Sequence, residues 1–252
     1  MSAKLQGFDP DVRKTLIDFI ERHSAMKDRR KIAAFDADGT LWRGDIGEAF
    51  FRWQLEQGTV PHAPKKDAWD YYFKETQEGD CAKAFGWLAQ WNAGVLEADF
   101  KNWATRFFRE QWAKNVFGPV GSLVNALATA GFEIWVVSGS TEWVVAAGAE
   151  AAFGVSAERV IGSAVTVENG RLTDKIARRI PYRDGKALLV DEVIGTRPLF
   201  AAGNTYWDKE LLFTATELVL AVNSESEHEV NFASEQRLKE IAVERKWLVQ
   251  GF

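Results

Sequence analysis

One cysteine, three histidines, two methionines and six prolines are the whole supply of these residues in a chain of 252. The lone Cys81 has no partner for an internal disulfide, which fits a reducing compartment. His23, His62 and His228 show no metal-ligand spacing and are expected on surfaces or helix caps. No apolar run approaches the ~20 residues of a membrane span. The stretch Met1–Gln6 has no apolar signal core, so the expected address is the cytoplasm, with no membrane partner. Lys plus Arg total 31 against 36 Asp plus Glu, a net charge of −5 with no strong basic run. Nucleic-acid binding by neutralisation of backbone phosphates is therefore not expected. A hydrophobic share of 46% with 27% charged residues argues against disorder, collagen-like repeats and coiled coil. What the chain has in excess is aromatic: 11 Trp and 17 Phe, many of them between Trp42 and Trp112.

At ~150 residues per domain the length suits one large domain, or a core with a smaller companion. Asp9-Pro10 opens a helix, with the aspartate at the N-cap and the proline in the first turn. Val12, Leu16, Phe19 and Ile20 then share one helical face. Short apolar runs at 31–35, 132–137, 199–202 and 217–222 read as buried parallel strands. Helical stretches at 121–130, 141–153, 186–194 and 208–214 alternate with them. This alternation predicts an α/β fold, a doubly wound Rossmann-like parallel sheet whose ligands sit beyond the carboxyl ends of the strands.

Two segments interrupt the alternation. Between Asp45 and Trp112 there are helix signals and no convincing strand. Asp45 with Glu48 makes a capping box, Gly58 is a stop, and Asp80 caps a helix whose Ala84, Trp87, Leu88 and Trp91 share a face. Phe100, Trp103, Phe107 and Trp112 form a further helical stripe. These signals predict a helical cap at 44–115, inserted after the first strand into a core made of 1–43 and 116–252. Cys81 falls in this cap and is expected to pack rather than to act as a nucleophile. The second interruption, 160–175, carries Asn169-Gly170 between alternating arms, a hairpin signal.

Chemistry is expected where the strands end. The first strand runs into Asp36-Ala37-Asp38-Gly39-Thr40. Two carboxylates on one side of an extended chain need a compensating cation or proton, and Mg²⁺ suits hard oxygen ligands. The plainer reading is an Asp-Gly turn with solvated acids. The second run ends at Ser138-Gly139-Ser140-Thr141, where a helix begins. Hydroxyls and free N–H groups there suit an anion such as phosphate, or else simple N-capping by Ser140 or Thr141. Lys186 opens the next helix, where the dipole disfavours a cation; it has a job there or is a solvated surface lysine. The third run ends at Gly203-Asn204-Thr205-Tyr206-Trp207-Asp208, with side-chain oxygens at Asn204 and Asp208, although a Gly-Asn turn explains Asn204 as well.

Their order and placement resemble the haloacid dehalogenase superfamily, in particular its phosphoserine phosphatase-like branch. Asp36 to Thr40 is similar to the first motif of that family, Ser138 to the second, Lys186 to the third, and Gly203 to Asp208 to the fourth. The hairpin at Asn169-Gly170 and the tail segments 221–223 and 238–249 also look like that branch. The resemblance runs from Lys31 to the C-terminus, and covers the cap only in position and helical character.

The resemblance implies a Mg²⁺-dependent phosphomonoester hydrolase working through an aspartyl-phosphate. Asp36 would be the nucleophile and Asp38 the general acid and base, with Ser138 and Lys186 holding the phosphoryl oxygens. Gly39, Thr40, Gly139 and Asp45 would line the substrate site, Thr40 chiefly fixing its loop. Asp36, the Asp38 carbonyl and Asn204 would hold Mg²⁺, with Asp208 acting on bound water or orienting Lys186. The substrate would be a small phosphorylated metabolite, amino- or ammonium-bearing as in phosphoserine or phosphocholine. Asp45 and an aromatic cage in the cap motivate that idea, against the plainer readings of an N-cap and a cap core. The departure is Asn204, where aspartate is commoner in the family; one negative ligand fewer should weaken Mg²⁺ binding. Tyr206 and Trp207 are bulkier than usual there. Alternatives are a phosphotransferase using an acceptor other than water, a metal-independent 2-haloacid dehalogenase, and a non-catalytic phosphate-ester binder. Asp38 argues against the dehalogenase, since a halide leaving group needs no proton. A monomer or homodimer is expected.

Overall fold

The computed structural model describes residues 5–26, 29–59 and 67–252; His62 lies outside them. The helices and strands run in the order α1 (Pro10–Ser24), β1 (Ile32–Phe35), α2 (Ile46–Gln57), α3 (Ala68–Glu78), α4 (Cys81–Gln90) and α5 (Glu97–Phe107). After them come α6 (Gly118–Thr129), β2 (Glu133–Thr141), α7 (Glu142–Phe153), β3 (Val160–Ser163), β4 (Val165–Glu168) and β5 (Arg171–Ile176). The remainder is α8 (Asp184–Leu189), β6 (Phe200–Gly203), α9 (Lys209–Phe213), β7 (Leu218–Asn223), α10 (Phe232–Arg245) and β8 (Leu248–Gly251). Short π and 3-10 turns extend α5, α8 and the start of α9.

Six strands form one sheet in the order β3-β2-β1-β6-β7-β8. The pairings of β1 with β2 and β6, of β6 with β7, and of β7 with β8 are all parallel. In register, Phe35 of β1 stands opposite Val136 of β2 and Ala202 of β6. Ile32, Ala33, Ala34 and Phe35 are all buried, as a strand covered on both faces requires. The doubly wound α/β core with a helical insertion after the first strand is thus as the alternation predicted.

The chain divides into two compact units, Met1–Gly44 with Asn115–Val137 and Lys186–Phe252, and Asp45–Lys114 with Ser138–Gly185. In the first unit, Leu238 and Ala242 of α10 pack with Ala201, Leu212, Val219 and Ala221. Val12, Leu16, Phe19 and Ile20 of α1 are buried as their spacing predicted. His23 corrects the expectation of a surface or capping histidine: it is fully buried. The stripe of α1 simply continues to it, four residues beyond Phe19, whose ring centroid lies 4.4 Å away. Its Nδ1 pairs with the Phe19 carbonyl at 2.8 Å and its Nε2 lies 3.1 Å from Glu217 Oε2. His228 is exposed, as expected.

In the second unit the aromatic residues make a core of their own. Phe51 is fully buried, with the rings of Trp69, Tyr72, Trp87 and Trp91 at 5.2–6.0 Å. Phe100 packs edge-on to Phe50 and Trp143, and Phe107 stacks on Trp112. Of the rings expected as either cage or core, Phe100, Phe107 and Trp112 are engaged with other rings as core. Asn169 and Gly170 have φ of 51° and 73°, the pair of left-handed residues that a two-residue hairpin demands.

Some boundaries differ from expectation. The second strand runs to Thr141 rather than stopping at Val137, because the 138–141 segment remains extended; Ser163 Oγ of β3 donates to the Gly139 carbonyl at 2.6 Å. Helix α7 therefore starts at Glu142, and no side chain caps it at Thr141. The hairpin is confined to β4 and β5, because Val160–Ser163 joins the main sheet as an edge strand. At the other edge β8 adds a strand that no long apolar run announced.

Candidate active site

In the first unit, buried charged residues meet at the end of β1. The Asp36 N–H donates to the Ala202 carbonyl at 2.9 Å, so Asp36 continues the β1–β6 ladder and points from a fixed backbone. The chain then turns at once. Gly39 adopts φ +76°, and a Cβ there would stand 1.9 Å from Asn204 Nδ2, so only glycine fits. The Gly39 N–H donates to the Trp42 carbonyl, and Trp42 Nε1 donates to Asp38 Oδ1 at 2.8 Å. Asp38 is half-buried, whereas Asp36 and Thr40 are buried.

Three further segments of this unit reach the same place. Lys186, in the first turn of α8, donates from Nζ to Asp36 Oδ1 and to Asp208 Oδ1, both at 2.6 Å. Thr40 Oγ1 lies 2.9 Å from Asp36 Oδ2 and 3.4 Å from Asn204 Oδ1. Asp208 Oδ2 accepts from the Asn204 N–H, the Thr205 N–H and Thr205 Oγ1, which fastens the loop after β6 to the turn that follows it. Both oxygens of Asp208 are thereby engaged, one on the lysine and one on the loop.

These contacts explain the electrostatics. Burial, then Asp208, pushes the Asp36 carboxyl up to about 7, with Asp38 adding and Lys186 opposing. Burial pulls Lys186 down, but Asp208 and Asp36 outweigh it and leave the ammonium above its ordinary range. Asp36, Asp38 and Asp208 together carry three potential negative charges against one lysine.

Among the described residues no group of three or more His, Cys, Asp and Glu side chains is placed to hold a metal ion. The donors that do converge are mixed: the Asp36 carboxylate and the Asn204 amide oxygen. Both are acceptors facing one hydroxyl, that of Thr40, which has a single proton to give. Hard oxygens, an excess of negative charge and too few protons fit a Mg²⁺ ion.

The remaining sequence-predicted residues lie in the second unit. Ser138 is buried in β2 and its Oγ accepts from the Ser140 N–H at 3.1 Å. Gly139 has the Phe85 ring against it, so that a Cβ would stand 3.0 Å from Cε2. Asp45 caps α2: its Oδ1 accepts from the Glu48 N–H at 2.8 Å and lies 3.5 Å from Ser140 Oγ. Tyr206, noted for its bulk, lies beneath cations, with Arg237 at 3.8 Å and Lys209 at 4.1 Å from its ring centroid. Reading strand ends alone missed one residue. Glu235 of α10 is fully buried and bonded to Asn204, but it lies some thirty positions downstream in a helix with no motif.

A parallel α/β sheet with paired acids at the end of its central strand and a buried lysine beside them makes a Rossmann-like core with a charged site beside β1. A family profile described as haloacid dehalogenase-like hydrolase matches residues 33–213, and the chain belongs to that family. No curated protein sequence matches it. Among solved structures, a protein of unknown function from Bordetella pertussis Tohama I is similar with a TM-score of 0.72 and 23% identity, covering 87% of this chain and 97% of that one. A functionally unknown protein from Anaerococcus prevotii DSM 20548 is similar with a TM-score of 0.76 and 14% identity, covering 99% and 94%. A phospho-aspartyl intermediate analogue of phosphoserine phosphatase has a TM-score of 0.52 and 16% identity, covering 88% and 93%. At these identities the likeness is one of fold.

Proposed function

We propose that this protein is a Mg²⁺-dependent phosphomonoester hydrolase that uses Asp36 as its nucleophile. The observation that carries the reading is the buried Lys186 bridge, which fixes the Asp36 carboxylate at 2.6 Å and is itself held by Asp208. A buried carboxylate and a cation 2.6 Å apart support this reading, since preorganised charge supplies most of the rate in phosphoryl transfer.

Asp36 attacks phosphorus, forming a carboxyl–phosphorus bond as the ester P–O bond breaks. Asp38 gives its proton to the leaving oxygen, then takes one from the water that hydrolyses the aspartyl-phosphate, returning both acids to their starting state. Lys186 neutralises the phosphoryl oxygens, and Asp208 orients Lys186. Ser138 stands two residues beyond Val136, the register partner of Phe35, and is assigned the hydroxyl contact to the phosphoryl group. Gly39 and Gly139 are assigned to the lining of the substrate site, and Thr40 holds Asp36 Oδ2 in place. Asp36, the Asp38 carbonyl and Asn204 would hold Mg²⁺, which when bound supplies charge neutralisation at the phosphoryl group and keeps Asp36 ionised.

The substrate class is a small phosphorylated metabolite. Because Phe51, Phe100, Phe107 and Trp112 are packed into the aromatic core, an ammonium group would be met by the Asp45 carboxylate. The test is phosphate release from phosphoserine, phosphocholine, phosphoethanolamine, a sugar phosphate and an aryl phosphate, with Mg²⁺ or EDTA, beside Asp36→Asn. Turnover that needs Mg²⁺ and is lost in the variant is expected. Halide release from a 2-haloacid that survives EDTA, without ester turnover, would overturn the reading. An unchanged substrate ranking in Asp45→Asn would remove the ammonium contact.

A further inference from the structure

Glu235 is a carboxylate with no solvent exposure, and among the described residues it makes no ion pair. Its cost is offset by hydrogen bonds that occupy both oxygens. Oε2 accepts from the Ser224 and Glu225 N–H groups at 2.9 and 3.1 Å, just past the end of β7. Oε1 accepts from Ser224 Oγ at 3.1 Å and from Asn204 Nδ2 at 3.0 Å. Four donors meet four lone-pair sites, so the carboxylate has one orientation and every partner facing it must be a donor.

That last condition decides the amide of Asn204. Turned the other way, its carbonyl oxygen would meet the Glu235 carboxylate, two acceptors in a buried place. With Nδ2 committed to Glu235, Oδ1 must face the opposite side, where Thr40 Oγ1 and Asp36 Oδ2 lie. The charge is also displaced: the residue beside Asp36 is neutral, and the negative charge sits behind it, one hydrogen bond away.

We infer that Glu235 is a positioning residue for the metal site. It locks Asn204 with its oxygen toward Asp36 and supplies, through that bond, the negative charge that the amide lacks. This rests on the proposed role of Asn204 as a Mg²⁺ ligand. Outer carboxylates that orient a ligand in this way are commonly worth about 10–100-fold in metal affinity.

The relay can be reversed on paper without changing its shape. In Asn204→Asp/Glu235→Gln, the glutamine amide donates to the new carboxylate while its oxygen accepts from the Ser224 and Glu225 N–H groups. Ser224 Oγ has the Gly39 carbonyl as its other acceptor, at 3.3 Å. Each single exchange fails this match: Glu235→Gln sets a donor against a donor, and Asn204→Asp sets two buried carboxylates together.

The experiment is Mn²⁺ titration followed by the loss of free Mn²⁺ signal in electron paramagnetic resonance, with thermal unfolding of the metal-free proteins alongside. Wild type is expected to bind, Glu235→Gln to bind roughly tenfold more weakly, and the double exchange to return to within about threefold of wild type or better. Wild-type affinity in a folded Glu235→Gln overturns the inference. So does a double exchange that folds but binds no better than Glu235→Gln; should the single variant fail to fold, a double exchange that fails to restore both folding and binding does the same. No binding by folded wild type is a separate result: it overturns the metal reading itself, and the relay with it.

Discussion

Lys186 Nζ lies 2.6 Å from Asp36 Oδ1, both residues being buried. The pair is held rather than merely formed, since Asp208 grips the same nitrogen from the other side. Replacing Lys186 by methionine removes the only lysine among three acids. The metal-loaded rate on an aryl phosphate should fall roughly 10²–10³-fold. Lys186→Arg should not restore it, because a planar guanidinium cannot occupy the volume of a bridging ammonium. Steady-state kinetics of the two variants check this, and a rate within a few-fold of wild type would contradict it.

Asp36 gives the metal-free protein a pH dependence of a stated sign. Its folded value of about 7 lies above the ordinary 3.8, so the fold favours the protonated form. That contribution is complete below the ordinary value and is lost as pH rises through about 7. The metal-free protein should therefore melt lower at about pH 8 than at about pH 6, by on the order of 5 °C. Asp36→Asn should reduce the slope, and Mg²⁺ should stabilise wild type more than the variant at the higher pH. Melting curves at both pH values, with and without Mg²⁺, are the measurement; equal slopes in wild type and variant would contradict the assignment.

Gly39 is a second sharp test, because the turn demands both its positive φ and its missing Cβ. Alanine there costs about 1–2 kcal/mol for the left-handed backbone alone. It also pushes on the Asn204 amide, so metal affinity should fall together with stability. Denaturant unfolding and Mn²⁺ titration of Gly39→Ala report the two effects, and a variant with wild-type values for both would show that the turn is not as tight as described.

The aromatic core of the second unit carries its own prediction. Phe51 is wholly buried beneath four rings, and Phe51→Ala should destabilise the protein by about 3–5 kcal/mol. Chemical unfolding followed by tryptophan fluorescence is suited to this, since Trp69, Trp87 and Trp91 surround the lost ring. A loss under about 1 kcal/mol would mean the cluster has room to collapse.

The sheet was legible wherever burial on both faces produced a continuous apolar run, as at Ile32–Phe35 and Phe200–Gly203. It was not legible at the edges. Leu248–Gly251 is short and only partly buried, so periodicity had little to register. Val160–Ser163 merged with the alternating arm of the hairpin beside it. The site followed the same logic. Asp36 and Asn204 directly follow β1 and β6, where composition is constrained by the turn that follows, and Lys186 stands in the first turn of α8, where the dipole disfavours a cation. Glu235 acts through a tertiary hydrogen bond across 31 positions, and nothing local to α10 distinguishes it from a solvated helix glutamate. His23 misled for the converse reason: polarity suggested a surface, while helical spacing placed it inside.

The covalent step is the centre of the account, and trapping it is the most direct test. Wild type turning over an aryl phosphate with Mg²⁺ is quenched in acid within the turnover time, digested, and its peptides weighed. The expected result is one added phosphoryl group on the peptide carrying Asp36, absent with EDTA and absent in Asp36→Asn. Phosphate released at the same rate by Asp36→Asn, or a phosphoryl group found on another residue instead, would contradict the assignment of Asp36 as nucleophile.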